Sequence, residues 1–441
     1  MKNYRRNRRL ILFCGVGMLL LAACGEKNMA ADSSDTGKLK ICISESEKRI
    51  YLDDVIPFYE KENPEVEIEW EFVSLGENRE EQIEERDRIA SELMAGDGAD
   101  LYFNVESFLG DPYKAQEAGC FADLIPLLKE YTQFRENDFI SGTFDILEDG
   151  EECYILPVVN SFPVTMIQKS MEADLGIDVN SWNSITDYCA GVQKFYEKYP
   201  DERPFLVNDN GLPGIVSFGF EIWEEEKTFS VLQSPEWKEN LELMKRWIYP
   251  DGAASGPDIY GDYTQYEQEM DSFIRGEGIH FVKNTPDIRT IEDYIRMGGE
   301  SETDLVPVYD INGEKQTNAI YGIAIAASSE NKEEAILFIK TILEHMGGTT
   351  LKADNINVLE ELREQYGKQE VVINGQVYDG LTETTFSKIE EWMDQAVVSC
   401  YIPAEVNSKL NDNYEKFWKD EISYDQCIDE CIDFMKIYYS E

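Results

Sequence analysis

The sequence predicts an α/β fold in two lobes, each built on a mostly parallel sheet flanked by helices. Strand and helix patterns alternate over residues 39–105, which is typical of βαβ units with right-handed crossovers. A continuous apolar run, Tyr321–Ala327, is followed directly by an amphipathic helix pattern. The chain has 441 residues, which exceeds one average domain and fits two lobes.

The N-terminus has the three regions of a bacterial secretory signal. A basic stretch, residues 2–9, precedes an apolar core, residues 10–21, and two alanines precede Cys24. The apolar core is too short to predict a membrane span. The order Leu-Ala-Ala-Cys resembles a bacterial lipobox, which implies cleavage before Cys24 and acyl chains on that residue. The alternative is a plain secreted protein in which this cysteine is incidental.

Composition narrows the range of partners. The formal net charge is −48, so the surface repels nucleic acid and anionic lipid headgroups. We therefore expect no nucleic-acid partner and membrane contact through the lipid anchor only. The charge itself is interpreted as a device for solubility outside the cell.

Motifs for catalysis and metal binding are absent from the sequence. It contains no G-x-S-x-G, no H-E-x-x-H, no phosphate-binding loop and no C-x-x-C, and its two histidines are far apart. We expect no cofactor, no metal and no catalytic residue, and the mature thiols are interpreted as buried and free. A glycoside-active enzyme with paired catalytic carboxylates stays open as an alternative, because 88 acidic residues offer many accidental pairs.

The first lobe opens with three strands and two helices. The strands are Leu39–Ile43, Val66–Phe72 and Leu101–Val105, and each alternates or is apolar throughout. Between them lie a helix over Tyr51–Lys61, stopped by an Asn-Pro pair, and a charged helix over Arg79–Met94, stopped by glycine.

Two details of these connections are predicted as well. Residues 44–46 are expected to form a loop after the first strand. The charged helix is expected to turn four residues inward: Ile83, Ala90, Leu93 and Met94.

Four segments together resemble a known family. They are Phe58–Phe72, Ala90–Phe103, Lys114–Leu128 and Tyr321–Leu343. They look like parts of bacterial extracellular solute-binding proteins of family 1, the maltodextrin- and oligosaccharide-type receptors of ABC importers. The resemblance implies a two-lobed, periplasmic-binding-protein-like fold of type II with a hinge between the lobes. It also implies a membrane permease as partner and a monomeric receptor.

The resemblance also places the lobe boundaries. Cys153–Val158 resembles the family's crossover strand, and the second lobe then begins near Val164. The predicted divisions are 1–23 signal peptide, 24–37 lipidated cysteine and flexible linker, 38–160 first lobe with 306–347 returning to it, and 161–305 second lobe with 348–441 as its helical completion.

In the second lobe, Asn180 or Ser181 is expected to cap a helix, and Trp182 is interpreted as a core residue. A helix over Tyr266–Ile274 and a strand over Ile279–Val282 follow.

Asn-Gly pairs at residues 312–313 and 374–375 predict hairpins. Ser329 or Asn331 is expected to cap the helix whose inner face carries Ile336, Ile339, Ile342 and Leu343. The rest is expected to be helical, with a capping box of Ser423 and Gln426.

Candidate ligand contacts were chosen at the ends of predicted strands, where α/β sheets bind ligands. Glu106 is expected in the loop after the third strand, and its position resembles the acidic sugar-contact position of the family. The full set is Glu106, Asn284, Trp223, Asn160, Ser161 and Glu45. Trp223 is the candidate for stacking on a sugar ring, and the others carry groups that bond hydroxyls.

These features predict a lipid-anchored extracytoplasmic receptor that closes its lobes around a carbohydrate, an oligosaccharide, for an ABC importer. The alternatives are a secreted glycoside-active enzyme, a non-transport co-receptor on the same fold, and a receptor for a cationic ligand.

Overall fold

The computed structural model describes most of the chain after the predicted linker. It describes residues 37–440 except for 75–78, 110, 141–142, 145–151, 162–163, 200–228, 248–275, 277, 283–294, 310–312, 347–348, 351–362, 365–366, 368–369, 374–375 and 400–402. Cys24 and the predicted helix Tyr266–Ile274 lie outside the described residues.

The described chain contains both strands and helices. The strands are β1 Lys38–Ser44, β2 Glu67–Val73, β3 Leu101–Phe103, β4 Leu156–Ser161, β5 Val164–Gln168, β6 Ile279–Val282, β7 Thr303–Pro307, β8 Gln316–Ile325, β9 Val371–Ile373, β10 Gln376–Tyr378 and β11 Val397–Ser399. The helices are α1 Glu45–Glu47, α2 Ile56–Glu62, α3 Arg79–Ala95, α4 Val105–Leu109, α5 Pro112–Glu117, α6 Leu124–Leu127, α7 Lys169–Leu175, α8 Ile185–Lys198, α9 Pro235–Trp247, α10 Lys332–His345, α11 Glu383–Gln395, α12 Ala404–Trp418 and α13 Tyr424–Tyr438.

The first sheet confirms the predicted βαβ units. Its order is β11-β8-β3-β1-β2, with β4 also paired to β8. Strand β1 is parallel to both β2 and β3, as the alternating sequence pattern predicts. Strand β8 is antiparallel to β3 and β4, so this sheet is mixed.

The core of the first lobe lies between this sheet and α10. Leu39, Ile41 and Ile43 of β1 are fully buried, and they share a cluster with the inner face of α10. Burying a side chain of this size contributes about 1.5–3 kcal/mol. The predicted inward residues of α10 are all buried, which confirms that prediction. The helix begins after Asn331, the predicted alternative to Ser329.

The second sheet differs from the mostly parallel arrangement expected. Its order is β6-β5-β7, and β5 is antiparallel to both neighbours. The physical reason lies in the connections, because long excursions separate these short strands and strand direction is set by where each excursion returns. Periodicity within a strand carries no such information.

The link from β1 to β2 is more helical than predicted. The loop expected at residues 44–46 is wrong, because Ser44 accepts the Glu47 N–H at 3.2 Å and starts α1 there. A π-helical turn, Lys48–Leu52, follows, and α2 begins only at Ile56. The capping side chain decides the start of the helix before the apolar pattern does.

The predicted inner face of α3 is confirmed only in part. Leu93 is buried as predicted, whereas Ile83 and Met94 are exposed, at 48% and 70%, and Ile89, which was not predicted, is buried. The helix has few apolar residues, so its sequence does not fix one face.

The predicted cap of α8 lies three or four residues too early. Ser184 caps it by accepting the Asp187 N–H at 3.3 Å, while Val179–Ser181 forms a separate 3₁₀ turn capped by Asp178. Trp182 packs edge-on against Tyr188, with ring centroids 5.9 Å apart, at the border of the second lobe's core. Its assignment to the core is confirmed.

From residue 371 onward, the described residues form α11, α12 and α13, the short strands β9 and β10, and the further strand β11. Strands β9 and β10 form the predicted hairpin, and Ser423 caps α13 by accepting the Gln426 N–H at 3.2 Å. Strand β11 was missed; it pairs in parallel with β8. Helices α12 and α13 join the hydrophobic cluster of the second lobe, whereas α11 joins a cluster with β3 and α4.

Candidate functional site

The candidate site lies at the edge of the first sheet that faces the second. Strand β4 leaves the first sheet at Ser161, and β5 of the second sheet begins three residues later. Since Leu156 of β4 and Phe103 of β3 both pair antiparallel with Ile323, β4 and β3 run in one direction. The carboxyl ends of β1 and β3 therefore point toward the second sheet, where ligands bind in open α/β sheets.

Three aromatic rings meet at this edge. Tyr321 lies 4.9 Å from Tyr51 and 5.8 Å from Phe103 between ring centroids, and it stacks on Phe103 at 22°. The Tyr51 hydroxyl donates to the Tyr321 hydroxyl at 3.2 Å. Both tyrosines are half-buried, so their rings and hydroxyls border solvent.

A polar group lies next to these rings. Glu47 closes a capping box with Ser44 and also accepts a hydrogen bond from the Asn104 side-chain amide. Asn104 ends β3 in a left-handed conformation, φ 67°, which asparagine tolerates better than most residues. The end of β1 and the end of β3 are thus joined by one carboxylate.

Glu106 holds β8, the strand that carries Tyr321, through hydrogen bonds to its backbone. Both of its carboxylate oxygens accept the backbone N–H of Gly322, at 3.0 and 2.9 Å. Gly322 follows Tyr321, whose φ of 59° is left-handed and costs about 1–2 kcal/mol for a residue with a side chain. The hydrogen bonds of Glu106 therefore stabilise the backbone next to Tyr321, a strained residue whose ring faces the candidate site.

Burial shifts two ionisations here. Burial raises the pKa of Glu106 to about 7, and the Glu47 carboxylate adds to the shift, while the Gly322 N–H and its own N–H oppose it. Burial, then the hydrogen bond that the Tyr51 and Tyr321 hydroxyls share, raises the pKa of Tyr321. Both groups therefore favour their neutral forms more than they would in water.

The structure describes four of the six predicted contacts, and they lie on three different elements. Glu106 lies in the first turn of α4 and not in a loop, because Asn104 ends β3 early and the helix begins at once. Glu45 is exposed at the start of α1. Asn160 and Ser161 lie within β4, not after it, and pair with Ala319 and Asn318. Asn284 and Trp223 lie outside the described residues.

Sequence reasoning missed Glu47, Tyr51, Asn104 and Tyr321. Asn104 carried a signal, since an asparagine that interrupts an apolar strand often marks a left-handed residue. Tyr321 carried none, because it opens the apolar run that was interpreted as a fully buried strand. Tyr51 was placed on a helix that begins five residues later.

Two features are absent from the part of the chain that the structure describes. No group of three or more His, Cys, Asp or Glu side chains there is arranged to hold a metal ion. None of the described helices is long and apolar enough to cross a bilayer.

Solved structures share this architecture. MalE, the sugar-binding protein of Xanthomonas citri, matches with a TM-score of 0.60 and 11% identity over 90% of this chain and 96% of its own. A Listeria monocytogenes ABC substrate-binding protein in complex with cycloalternan matches with a TM-score of 0.55 and 15% identity over 92% and 100%. A Rhizobium etli sugar transporter in an open conformation matches with a TM-score of 0.58 and 17% identity over 90% of this chain and 99% of its own. These likenesses establish the two-lobed fold.

No curated protein matches the sequence. The sequence profile of the family described as bacterial extracellular solute-binding protein matches residues 44–348, which is more than half of the chain. The predicted family is confirmed: the chain belongs to the bacterial extracellular solute-binding proteins.

Proposed function

We propose that this solute-binding protein captures an oligosaccharide at the candidate site, between its two lobes. The observation that carries the proposal is the meeting of Tyr51, Tyr321, Glu47 and Asn104 at the carboxyl ends of β1 and β3. Aromatic faces stack on the apolar faces of sugar rings, and carboxylates and amides bond their hydroxyls.

The names of similar structures support a carbohydrate. Their titles give sugar binding for MalE and cycloalternan for the Listeria protein, and another, the GacH receptor of Streptomyces glaucescens, was solved with acarbose. We infer the same ligand class for this chain. Asn160, Ser161 and Glu45 are proposed to contribute from the first lobe, and Asn284 and Trp223 from the second.

We propose that ligand is held by lobe closure. Strands β4 and β8 both lie in the first sheet and continue toward the second, so a small bend in this pair moves one lobe against the other. Closure should reduce the radius of gyration in solution scattering. An unchanged profile at saturating ligand would contradict closure.

We further propose that Cys24 anchors the protein outside the cell, beside the permease of an ABC importer. The signal, lipobox order and linker support the anchor. A Cys24→Ser variant should lose membrane association or stay unprocessed, and a processed, membrane-bound variant would contradict it. Loss of oligosaccharide uptake on deletion would separate the transport role from a co-receptor role.

Calorimetry with a panel of maltotriose, xylotriose, cycloalternan and acarbose tests the ligand class. We expect one or more to bind, and Tyr321→Ala to weaken that binding at least about tenfold, which equals about 1.4 kcal/mol. Tyr378→Ala, on the separate β9–β10 hairpin, is the control and should bind as the parent does.

The panel also tests the alternatives. Release of reducing ends from the oligosaccharides would favour a glycoside-active enzyme. Binding of spermidine with none of the sugars would favour a cationic ligand, which the carboxylates Glu45, Glu47 and Glu106 would suit electrostatically.

A further inference from the structure

We propose that Glu106 is a positioning residue, which holds the Tyr321 ring in the candidate site by clasping the backbone N–H of Gly322. This inference rests on the proposed function for its consequence in ligand binding. The clasp itself follows from the strand pairing around these residues.

On one side, the described part of β8 has no neighbouring strand at the place where Glu106 contacts Gly322. Ile323 pairs with Phe103 of β3 and also with Leu156 of β4, so β3 and β4 lie on opposite sides of β8. Asn318 pairs likewise with β11 on one side and β4 on the other. Strands β3 and β11 thus share one side of β8, and among the described residues neither strand covers the interval between residues 318 and 323.

Glu106 fills this interval. Its carboxylate takes the Gly322 N–H with both oxygens, in the place where a strand carbonyl would otherwise accept it. A backbone N–H left without a partner in a buried site would be costly, so the Glu106 side chain supplies an acceptor that the local structure needs. The fit is close, because a Cβ built on Gly322 would lie 2.2 Å from Glu106 Oε1.

The clasp fixes the backbone on the C-terminal side of Tyr321. The register of β8 with β4 runs from Pro157–Gly322 to Val159–Ile320, on either side of the left-handed Tyr321. A left-handed residue within an extended strand persists only where its neighbours hold it. With Gly322 held, the ring stays against Phe103 and its hydroxyl stays within reach of Tyr51.

Charged and titratable groups lie on each element that packs against α4, the helix that carries Glu106. Glu47 approaches from α1, and the Tyr321 hydroxyl belongs to β8. From α3, Arg86 donates to the carbonyl of Ser107, one residue along. Lys114 of α5 lies over the ring of Tyr438.

Protonation should loosen the clasp. The ionised carboxylate only accepts hydrogen bonds, whereas the acid gives up one oxygen to its own proton. Since the pKa of Glu106 is raised to about 7, the clasp should be complete at pH 8 and weakened at pH 6. The position of Tyr321, and with it ligand affinity, should follow that titration.

Fluorine NMR of protein labelled with 3-fluorotyrosine tests this without any ligand. Tyr321→Phe identifies the resonance of residue 321. We expect that resonance to titrate with a midpoint near pH 7 in the parent and to lose the titration in Glu106→Gln. Glu45→Gln, which removes an exposed neighbouring carboxylate, is the control and should titrate as the parent does.

A resonance that does not move between pH 6 and 8 in the parent overturns the clasp, even if Glu106→Gln fails to fold. So does an equal titration in Glu106→Gln. Failure of the proposed function looks different: Tyr321→Ala would then leave sugar binding unchanged while the titration persists.

Discussion

Glu106 and Gly322 are joined by a three-centre hydrogen bond, in which one backbone N–H lies 3.0 and 2.9 Å from the two carboxylate oxygens. The contact spans 216 residues of sequence and ties the first turn of α4 to the middle of β8. It shows why a glycine stands at 322, where the strand has no room for a side chain.

Gly322→Ala should destabilise the protein. The new Cβ would meet Glu106 Oε1 at 2.2 Å and Ile155 Cγ2 at 2.6 Å, and overpacking of this kind costs about 1–3 kcal/mol. Urea unfolding measures the loss. Combining it with Glu106→Ala removes one of the two clashes, so the two effects should not add.

Gly119→Ala is the matched control. Gly119 has φ 73° but open space around it, so only the cost of a left-handed backbone, about 1–2 kcal/mol, is expected. A loss at Gly322 no larger than the loss at Gly119 would contradict the steric explanation.

The free energy of unfolding should fall as pH rises from 4.5 to 7. The pKa of Glu106 is about 7 in the folded protein against a usual value of 4.5, so in this window the folded state keeps a proton that the unfolded state has released. About 1.4 kcal/mol per pKa unit gives a contribution of about 3 kcal/mol, present below this window and lost above it.

Denaturation at pH 4.5 and pH 8, in the parent and in Glu106→Gln, isolates this contribution. Glu172, whose pKa burial and a hydrogen bond with Asp304 also raise to about 7, titrates equally in both proteins and cancels. An identical pH dependence in the two proteins would exclude Glu106 as the source.

Ile339→Ala should cost about 2–5 kcal/mol, because Ile339 is fully buried between α10 and the first sheet and its loss leaves a cavity. Ile437→Ala removes the same atoms from a side chain on α13 that is 59% exposed. That control should stay within about 0.5 kcal/mol of the parent. Equal losses in urea unfolding would mean that α10 is not part of the core.

Among the described thiols, Cys120 should react first with iodoacetamide in the native state. It is half-buried, whereas Cys189 is buried and burial raises its pKa to about 12. The thiolate is the reactive form, so burial slows the reaction twice, by access and by ionisation. Peptide mass mapping checks the order, and labelling of Cys189 before Cys120 would contradict the burial.

Much of the fold could be predicted because local pattern and tertiary structure agree. The alternation in β1 and the inner face of α10 each place apolar residues on one side, and burial follows that periodicity. Where the pattern is weak, as in α3, only Leu93 of the four predicted residues is buried, together with Ile89, which was not predicted.

The candidate site could be predicted only in part. Glu106 was selected because it follows a strand, and it does lie at the end of β3 beside the candidate site. The hydrogen-bond partner of its carboxylate could not be predicted from the sequence, since Gly322 is 216 residues away. The interval of β8 that the carboxylate occupies exists only once β3, β4 and β11 have assembled on β8.

The sequence by itself determined the α/β class, the family and the buried faces of the strongest elements. These depend on side-chain periodicity and on short motifs, which act within a few residues. The tertiary structure alone decided the antiparallel second sheet, the left-handed turn at Tyr321 and the meeting of Tyr51 with Tyr321. Those features depend on long-range pairing, in which each strand direction and each hydrogen-bond partner is set by a distant part of the chain.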